Sequence, residues 1–422
     1  MRIDAAKEWL ASAQGRARLS SLYGPGGGGA ERYAALLEEY RRHFPEPARL
    51  VMACAPGRAE ILGNHTDHNH GKVLAAAVSL DAAAVFSPRE DLRVRLFSEG
   101  YPPLSLDLSS LSADPAEAAT TASLVRGVAA GLKLRGRPYG GFDAVVSSRV
   151  FSGSGLSSSA SFEVLMCAVQ DALYGGNSLD PVTRAQVGQH AENAHFMKPS
   201  GLMDQMASSF GGFIAIDFRN PQPLVESLPS SFSGAGHAMV IVDTGSSHGD
   251  LTDAYSSIPL EMKAAAGTMG GRVLRDVPYA VFLENLPEVR AKAGDRACQR
   301  AMHFYQENRR VDLAAAALKA GDFEGFLAAV NASGLSSWTL LQNISVGARE
   351  QPLALALARA QELLQGKGAC RVHGGGFAGT TLNFVPRGTL PGFVLGMEAI
   401  FGAGCCHELD VRSEGPAVLF SA

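Results

Sequence analysis

The stretch that most constrains this chain is Phe151-Ser-Gly-Ser-Gly-Leu-Ser-Ser-Ser-Ala160, two glycines followed by three consecutive serines. Before it, Phe142, Ala144, Val145 and Val146 read as a strand. After it, Phe162, Leu165, Met166, Val169 and Leu173 fall on one helical face, which Gly175-Gly176-Asn177 ends. Strand, glycine/serine loop and helix in that order suit an anion. Glycine lets backbone N–H groups come close, and the helix N-terminus adds free donors and partial positive charge. A polyphosphate is the natural occupant. The loop holds no lysine, so it is not a P-loop. Ser158 stands where a dinucleotide fingerprint has its third glycine, so it is not that either. A plain turn and helix cap uses the same residue types, and the rest of the chain must decide.

At 422 residues the chain can form two or three domains. Its 46% hydrophobic and 18% charged residues suit a folded, soluble protein, and its net charge of −4 gives no basic footprint for nucleic acid. None of the six cysteines forms C-x-x-C, so they read as reduced packing residues of a cytoplasmic protein. The first residues lack the apolar run of a signal peptide, and no stretch is long and apolar enough to span a membrane.

Residues 1–48 read as two helices around the glycine-rich break Gly24 to Gly29, an extension packed on the main body. A polar loop follows, from Ala55-Pro-Gly-Arg58 to Gly71, between strand-like Leu50 to Ala53 and Val73 to Val78. Arg58 offers a planar cationic fork for phosphate or carboxylate, and Asp67 an acceptor in a glycine-bounded turn. His65, His68 and His70 invite a transition-metal reading, but no outlying Cys or His completes a ligand set. Residues 79–110 alternate as strands, and Thr121 to Leu134 read as a helix. Asp180-Pro181 starts another helix, cap then proline, with Glu192 near its end. Gly201-Leu-Met-Asp-Gln205 comes next, where Asp204 is either a helix cap or a base in a pocket. The break at Phe232 to Gly236 is the expected domain boundary. Gly245-Ser-Ser-His-Gly249 fits the G-x-S-x-G hydrolase pattern, which arises easily in a chain with 47 glycines, so Ser247 is not taken as a nucleophile. Residues 279–365 are mostly helical. The glycines from Gly374 to Gly379 cost entropy, which close backbone packing against another loop would justify.

Taken in order, the glycine-bearing stretches resemble the GHMP sugar and metabolite kinases, and most closely the galactokinases. Gly63 to Gly71 resembles their signature, whose usual core is G-E-H-T-D-Y-N. Gly153 to Ala160 matches G-x-G-L-S-S-S-A, Gly201 to Gln205 matches G-I-M-D-Q, and His373 to Thr381 resembles G-G-G-F-G-G. The resemblance covers about residue 48 to the end. It implies an α+β fold of two domains, ribosomal protein S5 domain 2-like (49–234) and ferredoxin-like (235–422), with the active site between them.

It also implies roles. Asp204 would be the base or orienting group for a sugar's anomeric hydroxyl, and Arg58 would stabilise the transferring phosphoryl group. Asn64, His65, Asp67, Gly201 and Tyr255 would contact the sugar. Gly153, Ser154, Gly155, Leu156, Ser157, Ser158 and Ser159 would wrap the ATP phosphates, and Ser159 with Glu192 would hold Mg²⁺. Sugar and ATP are the expected partners, with no nucleic acid or membrane, and the chain is expected as a monomer or weak homodimer. Four positions depart from the pattern: Asn64 for glutamate, His68 for tyrosine, Ala378 for glycine and Phe151 for proline. A glutamate at 64 would repel a C6 carboxylate, whereas asparagine can donate to one, so galacturonate stands beside galactose as substrate. A non-catalytic sugar and ATP sensor is a further alternative, although its relatives are expected to lose part of the Ser157 to Ala160 stretch kept here.

Overall fold

A computed structural model describes residues 2–24, 28–150, 156–198, 200–229, 236–246, 251–345, 347 and 349–422. The extension forms three helices, α1 (Arg2–Ala11), α2 (Ala13–Tyr23) and α3 (Gly29–His43), where two were expected. Ser12 makes the additional break, because its side chain accepts from Gly15 N and caps α2. The first body holds β1 (Val51–Leu62), β2 (Lys72–Pro88), β3 (Arg93–Ser98), β4 (Leu104–Asp107), α4 (Thr121–Leu134), β5 (Phe142–Ser148), α5 (Ser158–Gln170), α6 (Pro181–His190), α7 (Met203–Phe210), β6 (Phe213–Asp217) and β7 (Leu224–Leu228). The second holds β8 (His237–Asp243), α8 (Thr252–Thr268), α9 (Tyr279–Glu284), α10 (Leu286–Ala293), α11 (Asp295–Ala320), α12 (Phe323–Ser336), α13 (Pro352–Leu364), β9 (Ala369–His373), β10 (Thr380–Pro386), α14 (Leu390–Phe401) and β11 (Cys406–Leu409). A last strand, β12 (Ala417–Ser421), returns to pair with β1. This is the expected two-layer mixture of helices and sheets. Of the expected boundary, Phe232 to Gly236, all but Gly236 lies outside the described residues.

The larger sheet runs β12-β1-β2-β5-β3-β4, with β6 on the other end of β2 and β7 beyond it; the smaller runs β11-β8-β10-β9. Every pair is antiparallel except β3 with β5. All of β1 is buried, because both of its faces are covered. Val51, Ala53 and Ala55 pack with α4 and α5, and Met52 and Cys54 with the helices of the extension. Register shifts between Pro56 and Arg58 re-aim the strand, a common device beside active sites. Beyond them Ala59 and Ile61 enter a core shared with α11, α12, β8 and β10. The alternate positions, Arg58 and Glu60, line a cleft.

The extension is bound by charge as well as by apolar packing. Asp81 is fully buried and accepts from Tyr23 of α2 at 2.7 Å and from Arg412 at 2.9 Å. Arg32 of α3 also donates to it and to Ser147 O of β5, the latter at 2.7 Å. The extension therefore grips the strand that leads into the glycine/serine loop. Among the described residues no helix is long and apolar enough to cross a membrane. The six cysteines are unbonded, and five of them are buried.

Candidate active site

Arg58 and Asp204 meet fork to fork. Arg58 Nε donates to Asp204 Oδ1 at 2.8 Å and Nη2 to Oδ2 at 2.6 Å. Arg58 is 6% exposed, so the pair is stronger than a surface ion pair. Asp204 lies in the first turn of α7, but Leu202 is the cap residue and makes no side-chain cap bond. The carboxylate is thus turned to Arg58 rather than capping its helix. Burial by itself would raise the Asp204 carboxyl. The Arg58 charge and hydrogen bonds, with one from Ser157, outweigh it and hold the group below its usual value. Asp204 is ionised at neutral pH.

On one side of this pair lies a cavity of about 230 Å³ whose lining includes His65, Asp67, Lys198, Gly201, Tyr255 and Gly375. Gly201 is required there, because a Cβ would strike the Asp67 carboxylate; a Cβ on Gly375 would likewise strike the Tyr255 ring. The third glycine loop packs on the polar loop after β1 through Gly374 O and Gly375 O, which accept from Asn64 and His65. His65 Nε2 donates to Gly375 O at 2.8 Å, and burial pulls the imidazole down to about 4, so it is neutral. Burial pushes the Tyr255 phenol up to about 12. His68 and His70 are exposed. Among the described residues no cluster of three or more His, Cys, Asp or Glu could hold a metal, so the histidine-metal reading is not supported.

On the other side is the start of α5. Arg58 N donates to Leu156 O at 3.2 Å, pinning the loop's end to β1. The Leu156 side chain is buried in the shared core. Ser157 takes a left-handed φ of 57°, uncommon for a residue with a Cβ. Ser158 and Ser159 open α5. Gly153, Ser154 and Gly155 lie outside the described residues, as do Ser247 and His248. Ser159 Oγ donates to Glu192 Oε1 at 3.0 Å. Glu192 sits in a π-turn (Ala191–His195) after α6, a distortion frequent at functional sites. Its Oε2 accepts from Gln205 Nε2 at 2.9 Å, which also donates to Glu163 Oε2 at 2.9 Å. Burial, with the Glu192 charge, pushes the Glu163 carboxyl well up. One serine hydroxyl and one carboxylate are hard oxygen donors, fit for Mg²⁺ when phosphate oxygens complete the shell.

Asn64 differs most from expectation. It is fully buried, and its Nδ2 donates to Glu60 Oε1 and Gly374 O, both at 2.7 Å. Its Oδ1 accepts from Asn343 Nδ2 at 2.6 Å. Both amide hydrogens are engaged, so Asn64 has none left for a C6 carboxylate. The neighbouring acid is Glu60, which pairs with buried Arg371 at 2.9 Å. Glu60, Arg371, Asn343 and Lys198 were all missed in the sequence. Only Glu60 had a local signal, two residues beyond Arg58 on one strand.

Helix α11 fixes the polar loop from behind. Glu307 Oε1 accepts from Gly63 N at 2.9 Å, and His303 Nε2 donates to Asn64 O at 2.9 Å. Burial pulls His303 down to about 4. The unfolded imidazole protonates near 6.5 and the folded one only near 4, so the unfolded state takes up the proton first. Stability is fully present above pH 6.5 and is lost as pH falls toward 4. From pH 7 to pH 5 this one group should cost about 2 kcal/mol. The thermal midpoint should fall over that range, and less steeply in His303→Gln; an equal slope in the variant contradicts this.

Comparison with known proteins agrees with the sequence resemblance. Residues 38–88 match the galactokinase galactose-binding signature, and residues 123–212 match the GHMP kinases N terminal domain. The structure is similar to that of Lactococcus lactis galactokinase complexed with galactose, with TM-score 0.79 and 24% identity over 92% of this chain and 99% of that one. It is also similar to Methanococcus jannaschii mevalonate kinase (TM-score 0.61, 15% identity, 87% and 99% covered) and to Streptococcus pneumoniae phosphomevalonate kinase in complex with phosphomevalonate and AMPPNP (0.57, 12%, 88% and 99%). The chain has the GHMP kinase fold and carries that family's N-terminal domain. Within that class, residues 38–88 are similar to the galactokinase signature.

Proposed function

We propose that this protein is an ATP- and Mg²⁺-dependent sugar 1-kinase that converts galactose to galactose 1-phosphate. The observation that carries the reading is the Arg58–Asp204 pair, with the cavity of His65, Asp67, Gly201 and Tyr255 on one side and Ser157 to Ser159 on the other. Phosphoryl transfer needs chiefly positioning and charge neutralisation. The sugar's anomeric oxygen attacks the terminal phosphorus, an O–P bond forms, and the bond to the ADP oxygen breaks. Ionised Asp204 orients the hydroxyl and receives its proton as that bond forms. Arg58 faces the charge that develops on the phosphoryl oxygens. Ser159 and Glu192 would hold Mg²⁺, which when bound neutralises the nucleotide phosphates. Beside Arg149, where the loop begins, a cavity of about 890 Å³ opens between α3 and the ends of β3 and β5, with Leu80 and Phe97 on its walls. It is of ligand-pocket size, and we assign it to the nucleoside.

The engaged amide of Asn64 removes the argument for galacturonate, and Glu60 keeps an acid beside the sugar loop, which favours a neutral sugar. The test is incubation with ATP and a panel of hexoses and uronic acids, reading sugar 1-phosphate. Galacturonate turned over far better than galactose would overturn the substrate; bound sugar with no ADP release would make the protein a sensor. Asn64→Glu should destabilise the fold by about 2–4 kcal/mol, because two carboxylates then meet in a buried site. Glu60→Asn with Asn64→Glu should recover part of that loss in urea unfolding. A double variant no more stable than the single one contradicts the reading of this pair.

A further inference from the structure

Lys198 stands in the site with no part in the mechanism above. It lines the cavity with Arg58, Asp67 and Asp204. Its ammonium lies 3.1 Å from Glu192 Oε1, the same oxygen that accepts from Ser159 Oγ. The two ends of this ion pair differ sharply: the Glu192 side chain is 2% exposed and that of Lys198 61%. A carboxylate so deeply buried requires a counter-charge. Arg58 is bonded fork to fork to Asp204 and acts on Glu192 only through its charge, and Gln205, on the other Glu192 oxygen, is neutral. The cation in hydrogen-bond contact with Glu192 is on a long, flexible chain reaching in from solvent.

We propose that Lys198 is a displaceable counter-ion for the metal site. It holds Glu192 directed at Ser159 before metal and nucleotide arrive, and it would have to leave for a divalent ion to take the carboxylate. Two cations cannot share one carboxylate oxygen without strong repulsion. Lysine suits the task, being a compact charge on a four-carbon stem rather than a fixed fork. This rests on the assignment of Ser159 and Glu192 as metal ligands. Its consequence is that Lys198 competes with the metal and raises the metal concentration at which the site fills.

The test uses Mn²⁺ as probe, with the full chain saturated with ADP and no sugar, and free Mn²⁺ read by electron paramagnetic resonance. Lys198→Met should bind Mn²⁺ about fivefold more tightly than the unmodified protein, as loss of one partly exposed competing charge implies. Lys198→Arg, which keeps the charge, should stay within about twofold of it. Equal or weaker Mn²⁺ binding by Lys198→Met overturns the proposal. Glu192→Gln separates the two levels of the argument, since it should weaken Mn²⁺ binding in the unmodified background. If it leaves binding unchanged, the metal assignment fails and the counter-ion role fails with it.

Discussion

Asp204→Ala should abolish measurable sugar phosphorylation, a loss of about 10²–10⁴-fold or more in kcat, while ADP binding should stay within about threefold. This is the largest effect expected in the chain. The Asp204 carboxylate faces the sugar cavity and is bound at both oxygens by Arg58. Deleting it removes the group that orients the attacking hydroxyl and leaves the Arg58 cation buried without its fork partner. Asp204→Asn separates these effects. It keeps the shape and one acceptor but loses the charge, so it should remain folded and still fail in turnover. A calorimetric titration with ADP and a single-turnover assay read the two quantities independently. Lost ADP binding, or retained turnover in the asparagine variant, contradicts the role given to this residue.

Arg58→Lys should lower kcat by about 10²–10³-fold. Lysine carries the same charge but offers a single donor centre, whereas both Asp204 oxygens are held at once in the native pair, at 2.8 and 2.6 Å. The substitution loosens the carboxylate and withdraws a planar cation from the transferring group. Because the two side chains act as one unit, combining Arg58→Lys with Asp204→Asn should cost far less than the product of the separate losses. Independent, multiplying effects in that cycle would show that the pair is not the working unit.

Local chemistry accounts for what the sequence revealed. Helix α4 runs from Thr121 to Leu134 as its periodicity predicts, and Asp180 caps α6 through Thr183 N. The three serines open α5 as expected, since caps and periodicities are written within a few residues. The cost of the third glycine loop also read correctly as close backbone packing against another loop, seen where a Cβ on Gly376 would strike Asn343 O. What escaped depends on residues far apart in the chain. The fate of Asn64 is decided by Gly374, 310 positions away, and by Asn343, 279 positions away, and nothing near residue 64 announces either. Asp204 looked more like a cap, because its partner sits 146 residues earlier. The return of β12 to β1 carries no local mark, as its pairing is a matter of topology. Ser12 is a cap residue by type, but the glycines at 24 to 29 are the more conspicuous break.

The most direct measurement is phosphorus magnetic resonance of the protein incubated with ATP, Mg²⁺ and galactose, run beside Asp204→Asn. A phosphomonoester signal coupled to the anomeric proton should grow in step with ADP and be missing from the variant. ADP formed without a sugar phosphate, phosphate on a different hydroxyl, or equal product from the variant would contradict a cleft in which Asp204 and Arg58 carry a phosphoryl group to the anomeric oxygen.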